Sequence, residues 1–224
     1  MGSKNKLKRF KENNTFENVF QPTREELVEG NFKPKGNWNK NIFNNDNPIV
    51  LELGCGKGEY TVGLARRYPN KNFIGIDIKG ARFWRGAKTA LEDNIPNAKF
   101  IRTQIELIDH VFTENEVNEI WIIFPDPQIK YQRTKHRMTN LQFLERYKKV
   151  LKPNGVVHLK TDSEFMHGYT LGLLHGAGHE VQYANHNIYK QEGSPAEVTE
   201  IQTYYESQYL EQDKPITYIR FLIN

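Results

Sequence analysis

The chain has 224 residues, 38% hydrophobic and 26% charged, with a mean hydropathy of -0.72, which is enough for one packed domain with appendages and too little for two full-sized ones. Its 31 basic and 27 acidic residues give a net charge of +4 and a pI near 9.0, a mild lean toward an anionic partner in which the placement of charge matters more than the total. The single cysteine, Cys55, excludes an intramolecular disulfide and a Cys-rich metal site, no stretch approaches the roughly 18 apolar residues of a membrane span, and the basic N-terminus lacks the apolar run of a signal peptide, so a soluble, cytoplasmic protein is expected.

Residues 1–47 differ in texture from the rest. Lys4, Lys6, Lys8, Arg9 and Lys11 open them, and an Asn-rich stretch containing Pro and Gly closes them at Asn47. This composition reads as an extended, partly disordered basic arm. One short helix is expected inside it, where Thr23-Arg24-Glu25-Glu26 has capping-box spacing before Leu27. A solvated terminus and an RNA-touching arm fit this composition equally well. Residues 48–224 form the expected domain.

Ile49 to Leu53 is a short apolar run ending in a glycine cluster, as a buried strand would be. A helix to about Tyr68 follows, then a strand at Asn72 to Ile76 and a helix from about Gly80 to Asn94. Further strands are predicted at Lys99 to Arg102 and Glu119 to Phe124, followed by a helix at Leu141 to Val150. Pro153-Asn154-Gly155 turns into a strand at Val156 to Lys160, a helix runs to about Ala177, and strands near Val181 and at Thr217 to Leu222 end the pattern. Seven strands alternating with helices imply an α/β, Rossmann-like fold: a mostly parallel sheet with helices on both faces. Ligands in such sheets bind beyond the carboxyl ends of the strands, here after Leu53, Ile76, Phe124 and Thr161.

The first of these turns is Leu51-Glu52-Leu53-Gly54-Cys55-Gly56-Lys57-Gly58. Its G-x-G-x-G spacing is neither the dinucleotide G-x-G-x-x-G nor a P-loop. Glu52 would repel a pyrophosphate and attract a ligand carrying ammonium and sulfonium groups, such as S-adenosylmethionine. Asp77 follows Gly58 by 19 residues, where an acid accepting ribose hydroxyls is expected. A plainer reading has Glu52 tying down the loop's amides and Asp77 capping the next helix. Cys55 reads as a packing residue of the loop.

Phe124-Pro125-Asp126-Pro127 ends the fourth strand. Two prolines lock the backbone around one acid, aiming Asp126 from the sheet edge. Directly after it, Lys130, Arg133, Lys135 and Arg137 fall within eight positions with Tyr131 among them and no acid. Such a run contacts phosphates and stacks bases when it is not simply a solvated face. His175 and His179 are four apart, but HGAGH lacks the acid of a zinc motif, so no metal is expected.

LELGCGKG, NFIGID with Arg82 downstream, IWIIFPDP with its basic segment, FLERYKKVLKPNG, LKTD and TYYE together resemble the tRNA (guanine-N7-)-methyltransferase family. The resemblance runs from about Ile49 to the C-terminus. It implies a class I S-adenosylmethionine-dependent methyltransferase acting on N7 of guanine 46 in the tRNA variable loop. It also implies cofactor binding by Glu52, Gly54, Gly56, Asp77, Gln104 and Asp126, with Asp126 catalytic. Lys130, Asp162, Thr203, Tyr204, Tyr205 and Glu206 match its substrate-side positions. Gln132, Arg133, Thr134, Lys135, His136 and Arg137 match its RNA-contact segment. Gln128 stands where the family usually has Trp, and Gln104 where Asp or Asn is commoner. Because N7 carries a lone pair and no proton, alignment and negative charge near the forming cation matter more than a general base. Two other readings stay open: an RNA-binding module with a degenerate cofactor site, and a methyltransferase for another substrate. Monomer and homodimer both remain possible from sequence.

Overall fold

The computed structural model describes residues 3–224; Met1 and Gly2, the first residues of the expected arm, lie outside the described residues. The strands are β1 (Val19–Phe20), β2 (Ile49–Leu53), β3 (Asn72–Ile76), β4 (Ala98–Ile101), β5 (Val117–Ile123), β6 (Leu151–Thr161), β7 (Glu180–Asn185) and β8 (Thr217–Leu222). They form one eight-stranded sheet in the order β1-β4-β3-β2-β5-β6-β8-β7. All pairings are parallel except β6 with β8 and β7 with β8. Seven strands are those the sequence predicts, and the eighth, β1, extends the sheet beyond β4. The Pro153-Asn154-Gly155 turn lies within β6 as an irregularity. There the pairing jumps from Val117↔Leu151 to Glu119↔Val156, and Asn154 has a φ of 62°.

The helices are α1 (Ser3–Asn13), α2 (Arg24–Val28), α3 (Glu59–Arg67), α4 (Gly80–Glu92), α5 (Ile108–Val111), α6 (Leu141–Val150), α7 (Glu164–Gly176), α8 (Ala196–Glu200) and α9 (Tyr204–Leu210). The period-two alternation of each strand divides the core in two. Ile49, Leu51, Leu53, Ile74 and Ile76 face one layer with Phe143, Leu144 and Met166 of α6 and α7. Val50 and Phe73 face the other, with Tyr60, Leu64, Phe83 and Ala87 of α3 and α4. Glu52 lies between Leu51 and Leu53 and so belongs to the α3 side.

The segment before Asn47 differs from the extended arm expected of its composition. α1 packs on α4: the Asn13 amide donates to the Gly80 carbonyl at 2.9 Å, and Trp84 Nε1 donates to Glu12 at 2.6 Å. β1 enters the sheet. Thr23 caps α2 as its spacing predicts, accepting from the Glu26 amide at 3.1 Å, and Leu27 is buried. Trp38 is fully buried among Phe20, Phe32, Phe43 and Phe112, and its Nε1 donates to the Val111 carbonyl at 3.2 Å. A polar average hid a few large apolar side chains spaced so that each reaches the core. Among the described residues no helix is long and apolar enough to cross a membrane.

Candidate active site

The order of the sheet puts a crevice at its carboxyl edge. β2 is central, β3 and β4 lie on one side of it and β5 and β6 on the other, so the connections diverge at β2.

The glycine loop lies at this edge, between β2 and α3. Gly56 has a φ of 55°, and a Cβ there would meet nothing nearer than the Gly54 carbonyl at 4.0 Å, so a ligand can approach the backbone closely. Behind the loop there is no such room. A Cβ on Gly86 of α4 would lie 2.7 Å from the Lys57 carbonyl, so α4 rests directly on the turn.

Two carboxylates flank the loop, one bonded to it and one to the helix that follows. Asp77 accepts from the Gly56 amide at 3.0 Å through Oδ2 and from the Lys79 amide at 2.7 Å through Oδ1. Glu52, 4% exposed, accepts through Oε2 from both the Thr61 amide, at 2.7 Å, and the Thr61 hydroxyl. Burial pushes the Glu52 carboxyl up to about 8, with Asp77 and Glu59 adding to the rise against the two Thr61 hydrogen bonds. A buried acid near a second acid is a site that favours a cation. The plainer sequence reading has a counterpart in Asp77, which accepts from amides at the start of α4 and in the loop, whereas Glu52 accepts from Thr61 of α3 and from none of the loop's amides. Gln104 is exposed, precedes a 3-10 turn at Ile105–Leu107, and accepts from Arg24 of α2 at 3.3 Å. Cys55 is buried, which pushes its thiol well above the ordinary range.

At the end of β5 the FPDP turn is braced by two residues in the left-handed region, Phe124 at φ 48° and Gln128 at φ 47°. Such backbone costs about 1–3 kcal/mol per residue and persists where its surroundings fix it. Asp126 is exposed at the apex and accepts from the Gln128 amide at 3.1 Å. Lys130 is exposed and leads into a 3-10 turn, Tyr131–His136. Gln132, Arg133, Lys135 and His136 are exposed, as is Tyr131, while the half-buried Thr134 donates to the Tyr131 carbonyl.

Arg137 departs from the expected phosphate contact. It is 6% exposed and donates to the carbonyls of Gln128 and Ile129, each at 3.1 Å. Its guanidinium lies 4.8 Å and 4.5 Å from the ring centroids of Phe165 and Tyr169 on α7. These contacts spend its donors inside the protein, clamping the end of the FPDP turn.

Glu206 departs from the substrate-side position that the resemblance implies, because its side chain does not reach the surface. It is fully buried in an ion pair with Lys160 at 2.6 Å, accepts from the Tyr189 hydroxyl at 2.7 Å, and closes a capping box with Thr203. Lys160 also donates to the Ile201 carbonyl at 3.2 Å, and burial lowers its ammonium to about 8 against the opposing pull of Glu206. Thr203 spends its hydroxyl on the Glu206 amide at 3.2 Å. Tyr204 and Tyr205 are exposed, and Lys57 Nζ sits 3.9 Å from the Tyr204 ring centroid.

α9 thereby bridges the glycine-loop side and the FPDP side of the sheet edge. The Tyr204 amide donates to Glu59 at 3.2 Å beside the glycine loop. At the other end of α9, Tyr209 packs 5.9 Å from Phe124 and lies beside the half-buried Asp162, where burial and then the Asp162 charge raise its phenol. Lys57, Lys160, Tyr189 and Tyr209 were missed by the sequence reading. The Lys of LKTD and the T-x-x-E spacing of TYYE were the available signals. Among the described residues no group of three or more His, Cys, Asp or Glu could hold a metal.

Residues 46–219 match a family model described as "Putative methyltransferase". The chain is 74% identical to the tRNA (guanine-N(7)-)-methyltransferase of Christiangramia forsetii, over 100% of both chains. It is 47% identical to that of Bacteroides fragilis, over 98% of this chain and 86% of the relative. Against that of Clostridium acetobutylicum it is 34% identical, over 79% and 81%. Among solved structures, the 16S rRNA methyltransferase KamB superposes with a TM-score of 0.62 at 14% identity, covering 83% of this chain and 92% of that one. A 30S ribosomal methyltransferase from an uncultured bacterium gives 0.60 at 17% identity with the same coverage. These two share the fold.

Proposed function

Because this chain belongs to the tRNA (guanine-N(7)-)-methyltransferase family, we propose that it methylates N7 of guanine 46 in the variable loop of tRNA, in the cytoplasm, using S-adenosylmethionine. The observation that carries this reading is the glycine loop, open at Gly56 and strung between the carboxylates of Glu52 and Asp77, at the same sheet edge as Asp126. The residues fit the cofactor: two acids complement its cationic amino acid end, and Asp77 also stands where ribose hydroxyls need an acceptor. When bound, S-adenosylmethionine supplies an electrophilic methyl group on a sulfonium.

Guanine N7 attacks with an in-plane lone pair and ends with a methyl and a positive charge, so no proton has to leave. Asp126 balances that charge from a turn fixed by two prolines and two left-handed residues, so it is oriented before the reaction. Asp162 accepts from the donors of the guanine edge, at the end of β6. Tyr204, Tyr205 and Lys130 flank the base from exposed positions, and Arg133 and Lys135 face the RNA backbone. The buried Glu206 acts by holding α9.

Incubation of the protein with labelled S-adenosylmethionine and bulk tRNA, followed by nucleoside analysis by mass spectrometry, tests the reading. N7-methylguanosine is the expected product, and its absence overturns the proposal. Asp126→Asn is expected to slow single-turnover methylation on the order of 100-fold while tRNA affinity stays near that of the wild type.

A further inference from the structure

Resting on the tRNA reading and going beyond it, we propose that the outer face of α1 and α4 is a second contact surface for the tRNA backbone. It lies on the β3 side of the crevice, across from the basic loop that follows β5.

The case starts with what α1 does with its apolar side. Phe10 lies near Gly80 of α4, with Arg102 5.0 Å from its ring centroid, and Asn13 is buried on the Gly80 carbonyl. Arg9 lies 4.5 Å over Trp84, and Lys88 lies 5.2 Å from the same ring. The helix is held to α4 through Phe10, Arg9 and Asn13, and Leu7 is its one exposed large apolar side chain, too little for a membrane-embedded face. The exposed side chains around Leu7 are basic: Lys6, Lys8 and Lys11 on α1, with Arg82 and Arg85 exposed on α4, the helix it packs against. The one acid of α1, Glu12, accepts from Trp84 Nε1 and pairs with Lys8 at 3.8 Å.

Position gives this charge a use. α4 begins at Gly80, three residues after Asp77, so the patch starts at the edge where the glycine loop lies. β3 and β5 are separated only by β2, or roughly 10 Å at the usual strand spacing. A single RNA backbone entering the crevice passes basic side chains on both flanks. Its phosphates displace counterions there without any base being read.

The test is the Lys8→Ala/Lys11→Ala/Arg85→Ala variant of the full chain, with tRNA affinity measured across a salt series. We expect affinity to fall about tenfold or more near physiological salt, and the slope of log affinity against log salt to flatten by about two to three units. Thermal midpoint, S-adenosylmethionine affinity and the single-turnover rate at saturating tRNA are expected to stay at wild-type values. Unchanged affinity and salt slope in a folded variant overturn the proposal. So does a lost saturating rate with unaltered tRNA affinity, which would make α1 a support of the active site. A wild-type protein that binds tRNA but forms no N7-methylguanosine would sink the methylation reading alone, because the binding measurement still decides this surface.

Discussion

Arg133 and Arg137 stand four positions apart in one basic segment and have opposite surroundings. Arg133 is exposed, whereas Arg137 is clamped between two backbone carbonyls and two aromatic rings. Replacing Arg137 with Ala is therefore expected to cost about 2 kcal/mol of stability or more, from lost charge-assisted hydrogen bonds. It should also lower the saturating single-turnover rate by loosening the turn that carries Asp126, with the salt dependence of tRNA binding intact. Arg133→Ala/Lys135→Ala is expected to do the reverse, flattening the salt slope by about two units with the saturating rate preserved. A flattened slope in the Arg137 variant would return that residue to phosphate contact. Glu52 gives a prediction of another kind. Its carboxyl sits at about 8 in the folded protein against an ordinary 4.5, so between those values the unfolded chain has released a proton that the folded one keeps. The Glu52 contribution to the stability of the ligand-free protein should therefore be full below about pH 4.5 and be lost as pH rises toward 8. Glu52→Gln should remove that component. A cationic ligand needs the carboxylate, so cofactor affinity should rise as pH rises through about 8 in the wild type and stay flat in the variant. Calorimetric titration on either side of that pH decides it, and a pH dependence surviving in Glu52→Gln would assign the titration elsewhere.

At the scale of elements, α9 owes its place to one fully buried ion pair. Lys160 and Glu206 attract each other strongly in low dielectric, but each has given up its hydration, so the pair positions α9 more than it stabilises the fold. Lys160→Met leaves the Glu206 charge buried without its cation and is expected to cost about 3–5 kcal/mol in a denaturant titration. Lys160→Met/Glu206→Leu should recover most of that loss, and failure to recover would mean the hydrogen bonds to Tyr189 and Thr203 dominate. The same element shows where the sequence was readable. Strand ends and the glycine turn were legible, because period-two burial, glycines and prolines are local signals. The resemblance puts Thr203-Tyr204-Tyr205-Glu206 on the substrate side, yet its T-x-x-E spacing matches that of Thr23 to Glu26, a helix start. That spacing already implied that Glu206 turns back on its own helix. Its burial was not legible, because the partner Lys160 lies 46 residues earlier on a strand that composition alone makes look half-exposed.

For the whole molecule, the first 47 residues decide how much of the chain is needed to fold. Composition marks them as an arm, but the described part supplies a sheet edge through β1 and core through Leu27, Phe32 and Trp38. Burying an indole removes about 150–250 Å² from water, worth roughly 4–6 kcal/mol at about 25 cal/mol per Å². A domain of this kind is stable by only about 5–15 kcal/mol in all. Losing Trp38 together with Phe32 and Leu27 therefore removes most of that margin, and it also uncovers the β4 edge that β1 pairs with. Deletion of residues 1–47 is expected to abolish the cooperative thermal transition. Deletion of residues 1–13 takes away α1, whose contacts are with the surface of α4, and should shift the midpoint by only a few degrees. Trp38→Ala in the full chain separates core loss from chain length, and is expected to cost about 3–5 kcal/mol. Thermal unfolding followed by circular dichroism compares the three. A cooperative, wild-type-like transition in the 1–47 deletion would show that residues 48–224 hold their own core and that Trp38 fills a space the domain can close without it.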